Sequence, residues 1–356
     1  MRTIAITLLT CIGLMGAGVH GQEQRIVLQG AGQPQIFTTL DDALAAAQPN
    51  DALYFSGGSF STALASEGFT ISIPLHFIGA GIDPDSSSVT NTTTLGTAGT
   101  YSFTFTSGAS GSTFTGIKFA PTGSFLYGTG EVDDAPQGMV FDRCEFDCYV
   151  RLGFDEDVPA SSSTFNECIF RNSVAGVGPA PTTFTRCIFD LLWNNMSIAV
   201  FRPTGLTMDH CVLLEAPITN CENMNVTNSI LTRVGGVPIG QSTGTVSNCI
   251  ISHSELHLSG LNIASSNIIT DVAQESIFVD EVDNDHQYSD DFRLAVGSPG
   301  IGAGTDGTDI GIYGTASPYK DGSIPFNPHF QQATIANSTD QDGDLPVNIR
   351  VTAQPN

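Results

Sequence analysis

Between residues 114 and 269 one short pattern of apolar and polar positions recurs. It reads Phe141-Asp142-Arg143-Cys144-Glu145-Phe146, then Phe165-Asn166-Glu167-Cys168-Ile169-Phe170, then Phe184-Thr185-Arg186-Cys187-Ile188-Phe189. Copies at 208–213, 226–231, 246–251 and 264–269 continue it, and one at 114–119 begins it. Counting from Ile117, successive steps are 27, 24, 19, 24, 18, 20 and 18. A period near 20 residues means that one structural unit is repeated. Each copy is aromatic or β-branched and is bounded by Gly, Ser, Thr, Asn and Pro, which predicts strands and turns. Lys118 and Glu145 stand between two apolar positions, and a charge there must face outward. Alternation then sends Ile117, Cys144, Cys168, Cys187, Cys211, Ser229 and Cys249 inward as one column. A second inward column holds Phe119, Phe146, Phe170, Phe189, Leu213, Leu231, Ile251 and Ile269. The outward position between them reads Lys118, Glu145, Ile169, Ile188, Val212, Ile230, Ile250 and Ile268. An aliphatic stripe that long is rarely left to water, so another part of the chain or a partner covers it.

A leucine-rich repeat needs leucines at fixed offsets, and a propeller blade needs about twice this period. The remaining solution is a strand-turn coil stacked in parallel on its neighbour, an all-β parallel β-helix with loops of variable length. Such an array needs closed ends. Residues 39–47 predict a short capping helix with Thr39 as its N-cap and Pro49-Asn50-Asp51 as its stop. Strands follow at 52–55, 70–73 and 75–78. After Gly314, Pro318, Pro325 and Pro328 mark an extended linker. Residues 330–336 and 345–351 alternate as two strands around Asp340-Gln341-Asp342-Gly343-Asp344. The expectation is a C-terminal extension, 316–356, whose hairpin folds back along the array (22–315) over part of the stripe.

Pro49-Asn50-Asp51, Gly58-Ser59-Phe60 and Leu75-His76-Phe77-Ile78-Gly79 resemble the opening phrases of secreted right-handed parallel β-helix proteins, the pectate-lyase-like fold. Phe292-Arg293-Leu294, the run from Gly297 to Gly304, and Asp309-Ile310-Gly311-Ile312-Tyr313-Gly314 resemble their closing phrases. The resemblance implies the fold and little about activity, because lyases, hydrolases, epimerases and adhesins share it. No particular enzyme family is matched. Met208-Asp209-His210-Cys211 is similar to the Trp-Ile-Asp-His segment of pectate lyases without its tryptophan. Arg202-Pro203 does not supply the Arg-x-Pro-x-x-Arg that should follow, and polygalacturonase signatures are absent.

Composition adds the setting. Met1-Arg2, an apolar run from Ile4 to Leu14 and small residues to Gly21 predict a secretory signal peptide over 1–21. No later stretch predicts a transmembrane segment, so the mature chain is expected outside the cell or on its surface. Net charge is −24, and Lys118 and Lys320 are the only lysines. No basic patch can form, which argues against nucleic acid, and a polyanionic glycan would be repelled unless cations bridged the charges. Seven cysteines follow the signal peptide, five of them in the repeat column as buried small hydrophobes. Cys148 and Cys221 lie off it, either paired or exposed.

Sugar cleavage needs acids and bases on one face: a base and a cation for a polysaccharide lyase, paired carboxylates for a glycoside hydrolase. The position before each cysteine holds Arg143, Glu167, Arg186 and His210, with Asp209 beside the last. If they project outward they form a charged column next to a groove, or simply a ladder of alternating charge. Calcium could enter at Asp340, Asp342 and Asp344, whose alternate spacing lets oxygens converge on a hard cation, or at Asp283 and Asp285. A polar turn explains the first set equally well. Two functions remain: association with extracellular polysaccharide, by binding or by cleavage, and a non-catalytic structural or adhesion role.

Overall fold

Three families of parallel strands carry the chain, because each repeat lays its strands beside the equivalent strands of the repeat before. The computed structural model describes residues 24–62, 67–86, 90–96, 100–129, 134–153, 160–191, 196–203, 205–281, 283–326, 329–335, 338–339 and 341–353. The expected signal peptide lies outside them. In the first family Thr113–Thr115, Met139–Asp142, Ser163–Asn166, Thr182–Thr185, Leu206–Asp209, Met224–Thr227, Gly244–Ile251 and Ile263–Ile269 pair in succession. In the second, Thr93–Leu95, Lys118–Phe119, Glu145–Phe146, Ile169–Phe170, Ile188–Asp190, Val212–Leu214 and Ile230–Leu231 do the same. A third, separate sheet has eight strands, from Glu67–Ile71 to Ile239–Gly240. The protein is thus all-β with long parallel sheets.

Register stacks like on like. Phe77, Phe114, Phe141, Phe165 and Phe184 form one ring column, with neighbouring centroids 4.7, 4.8, 4.7 and 5.0 Å apart and planes nearly parallel. Phe119, Phe146, Phe170 and Phe189 form a second, at 5.2, 4.9 and 4.8 Å. Across the interior the columns meet edge to face, as Phe141 meets Phe146 at 5.6 Å. Such contacts add about 0.5–1.5 kcal/mol each beyond the area they bury. The cysteine column lies in this same core, and the seven cysteines among the described residues are all buried and free, Cys148 and Cys221 included.

The outward stripe forms a second core. Ile169, Ile188, Val212, Ile230 and Ile250 are fully buried beneath Val272, Ile277, Phe278, Phe292, Ile310, Ile312 and Tyr319. The chain itself is the cover, as one of the two expectations held, but the segment is different. Residues 272–278 and 292–319 lie over the stripe, whereas the C-terminal hairpin, His329–Ile335 with Val347–Thr352, leaves Val347, Ile349 and Val351 half exposed. The cover approaches closely where it has glycine. At Gly311 φ is +93°, and a Cβ would stand 2.8 Å from Ile230 Cδ1.

One repeat differs from its expected register. Cys249 pairs with Ile268 and Ile250 with Ile269, so Ile268 takes the inward place and Ile269 the stripe position. Asn267, which the repeat spacing aligns with Cys249, instead matches Asn248 at the preceding turn. At the N-terminal end the array is closed. Helix α1, Leu40–Ala46, buries Leu40 and Ala43, and Thr39 accepts the Asp42 amide at 3.3 Å. Ile26–Gln29 pairs antiparallel with both Gln35–Phe37 and Ala52–Phe55.

Candidate functional site

The residue before each inward cysteine sits at a sharp corner between the first and second strand families. Gly116, Arg143, Glu167, Arg186, His210, Asn228, Asn248 and Asn267 all have φ between +51° and +64°. Glycine and asparagine adopt this left-handed backbone readily, whereas other side chains strain there. The corner turns each side chain away from the core, so the four predicted candidates do form one outward column.

Its charges are engaged with one another and roofed. Glu167 Oε2 accepts from Arg143 Nε at 2.8 Å and from the Lys320 amide at 3.3 Å. Glu167 Oε1 lies 3.2 Å from Arg186 Nη2. Arg143 is 1% exposed, donates to the Ile324 carbonyl, and stacks over the Phe326 ring at 3.9 Å. Residues 320–326 therefore lie across the column. A pocket of about 200 Å³ remains between Asp142, Arg143, Asn166, Glu167, Arg186 and Phe326. Asp209 Oδ1 accepts from Thr227 Oγ1 at 2.8 Å and Asn228 Nδ2 at 2.9 Å, with His210 Nδ1 3.1 Å away. Burial pushes Asp209 up, but these three neighbours outweigh it and hold the carboxyl below its ordinary value. General acid–base work needs a carboxyl that a substrate can reach, and Glu167 is not one.

A second charged network stands where the stripe begins. Glu145, with no exposed surface, takes Lys118 Nζ at 3.1 Å and Arg171 Nε at 2.6 Å on Oε1, and the Tyr288 hydroxyl on Oε2. Burial alone would raise its pKa; Lys118 and Arg171 reverse this and hold it below the ordinary value. Arg171 also reaches Asp190 Oδ2 at 2.8 Å and the His286 carbonyl at 3.0 Å. Asp190 nevertheless rises to about 6, because burial exceeds the pull of Arg171. Burial, with Arg171 beside it, pushes His286 down to about 4.

Beside this network the covering segment forms a pocket of about 280 Å³ that sequence reasoning missed. Its aromatic walls are Tyr288, Phe292, Tyr313 and Tyr319, and its polar groups include Asp83, Asp290, Asp291, Arg293 and Asp321. Tyr288 and Tyr313 are partly exposed. The Tyr313 hydroxyl donates to Asp321 Oδ1 at 2.6 Å, and Arg293 lies over the Tyr313 ring at 4.7 Å. Arg293 Nη1 also lies 3.1 Å from Asp291 Oδ1, which fixes the guanidinium between two carboxylates. Rings, carboxylates and a guanidinium around one small cavity suit a polyhydroxylated ligand, with stacking for its apolar face and fixed polar groups for its hydroxyls.

Asp283 Oδ1 accepts the Asp285 amide at 3.1 Å, and Glu281 Oε1 accepts the amides of Asp283 and Asn284, so this acidic stretch builds a turn. Asp342 and Asp344 are exposed at the hairpin turn, and Asp340 lies outside the described residues. Among the described residues no group of three His, Cys, Asp or Glu is placed to hold a metal ion, and no helix is long and apolar enough to cross a membrane. No protein-family model and no curated protein matches the chain.

Proposed function

We propose that the chain is an exported right-handed parallel β-helix, pectate-lyase-like in architecture, that binds extracellular polysaccharide and does not cut it. The observation that carries this reading is the pocket walled by Tyr288, Phe292, Tyr313 and Tyr319 and edged by Asp291, Arg293 and Asp321. Binding rather than cleavage is favoured because Glu167 has both oxygens engaged beneath residues 320–326, and Glu145 is fully buried among cations. With a net charge of −24, a neutral glycan suits the surface better than a polyanionic one. The test is retention on a panel of neutral and acidic polysaccharides, with and without calcium, alongside assays for new reducing ends and unsaturated products. The expected result is retention on a neutral glycan without products, weakened roughly 10-fold in Tyr313→Ala, about the 1.4 kcal/mol that loss of one stacking ring costs. Products would make the chain an enzyme. No retention on any glycan would leave the second reading, a structural or adhesion rod, which the engagement of the charged column inside the fold also favours.

A further inference from the structure

The two ends of the strand array are finished differently. At the N-terminal end α1 packs on the first strands, and the outermost strand, Gln35–Phe37, is blunted by being only three residues long and by Pro34 before it. At the other end Ile263–Ile269 pairs on one side only among the described strands, with Gly244–Ile251. Its residues Ala264, Ser265, Ser266 and Asn267 are exposed. An open edge is normally blunted by a charge, a proline or a bulge. This one reads Ile-Ala-Ser-Ser-Asn-Ile-Ile and carries none of them. It sits in a window, residues 256–270, with no Asp, Glu, Lys or Arg, inside a chain whose net charge is −24. Two copies of so acidic a chain repel one another, and at this edge they can approach without opposing charge. The window also presents Leu258, 56% exposed.

We propose that the Ile263–Ile269 edge pairs with the same edge of a second copy, antiparallel about a two-fold axis, so that each copy closes the other's open end. A two-fold contact is self-complementary, and a bare strand edge offers donors and acceptors in alternation, which is what such a contact needs. The direction of the free backbone groups follows from the ladder. Gly244 donates to the Asn262 carbonyl at 3.2 Å. In parallel pairing this turns the N–H and C=O of Ala264 and Ser266 toward Gly244–Ile251, and those of Ile263 and Ser265 toward the open side.

Ser265→Pro therefore removes an outward donor without removing a bond to the neighbouring strand. Ala264→Glu places a carboxylate on the shared edge of both copies. Mass by light scattering and sedimentation is measured across a dilution series for the full mature chain and both variants, with circular dichroism as the check on folding. The expected result is a two-copy mass for the unmodified chain and a one-copy mass for each variant, with the β signature unchanged. A one-copy mass for the unmodified chain at every concentration overturns the proposal, and so does a two-copy mass that survives both substitutions. A mass above two copies overturns the two-fold pairing. If the proline variant loses its β signature, Ala264→Glu alone decides.

Discussion

Replacing Glu167 by glutamine tests whether the charged column is a closed structural network. The carboxylate joins Arg143 at 2.8 Å and Arg186 at 3.2 Å, and the Arg143 side chain is 1% exposed. Removing the negative charge leaves two guanidinium groups facing one another beneath residues 320–326. Breaking one member of a buried ion pair costs about 3–5 kcal/mol. Here the lower end applies, about 3 kcal/mol, because the Arg186 side chain is 16% exposed and Arg143 keeps Phe326 and the Ile324 carbonyl. For a chain of this size that lowers the melting temperature by roughly 6 °C. The triple variant Arg143→Asn, Glu167→Asn, Arg186→Asn removes every charge at once. It installs at three corners the residue that already stands at positions 228, 248 and 267 with the same backbone. Asparagine tolerates the left-handed corner better, and deleting a whole buried charge network is often nearly neutral, so the triple variant returns to within about 1 kcal/mol of the starting protein. Denaturant and thermal unfolding of the three proteins read this directly. A triple variant no more stable than Glu167→Gln, or a Glu167→Gln protein indistinguishable from the original, refutes the reasoning.

Two further outcomes follow from buried groups. The seven free cysteines are all buried, and burial pushes Cys221 up to about 11 and Cys249 up to about 12. A thiol reagent should therefore find none in the native protein and all seven after unfolding; prompt reaction without denaturant, or fewer than seven afterwards, contradicts the thiol column. Burial, together with the Asp290 and Asp283 carboxylates, raises Glu281 from 4.5 to about 7 despite the Asn284 amide. The folded state then holds more protons than the unfolded one between those values, so stability falls as pH rises through them. Asp190, raised from 3.8 to about 6, acts in the same sense, while His286, lowered from 6.5 to about 4, acts oppositely below pH 6.5. Between pH 6.5 and about 7.5 Glu281 dominates these three. The melting temperature should fall across that interval and flatten in Glu281→Gln; an equal slope in both proteins refutes the assignment.

The interior was legible because stacking repeats a choice at every pass. Phe141, Phe165 and Phe184 carry the same side chain at the same phase, and Lys118 and Glu145 reveal which phase faces out. That parity predicted an inward core and an outward aliphatic stripe in need of cover, and the structure buries both. It failed by one residue at the last copy, where Ser265-Ser266-Asn267-Ile268-Ile269 has no cysteine or aromatic ring to mark phase. A signal was present there nonetheless. Asparagine at 228 and 248 and glycine at 116 mark the left-handed corner, and aligning Asn267 with them, rather than with Cys249, gives the observed register. The same column shows why Arg143, Glu167, Arg186 and His210 were found without their role. Position told that they project outward, but the roof over them comes from residues 320–326, more than 100 residues away, and no period links the two. The aromatic pocket was invisible for that reason as well. Tyr288, Tyr313 and Tyr319 stand outside the repeats, and what gathers them is the need of Ile169, Ile188, Val212, Ile230 and Ile250 for cover. Burying the outer stripe thus holds in place the segment that lines the pocket, as the inner columns hold the strands.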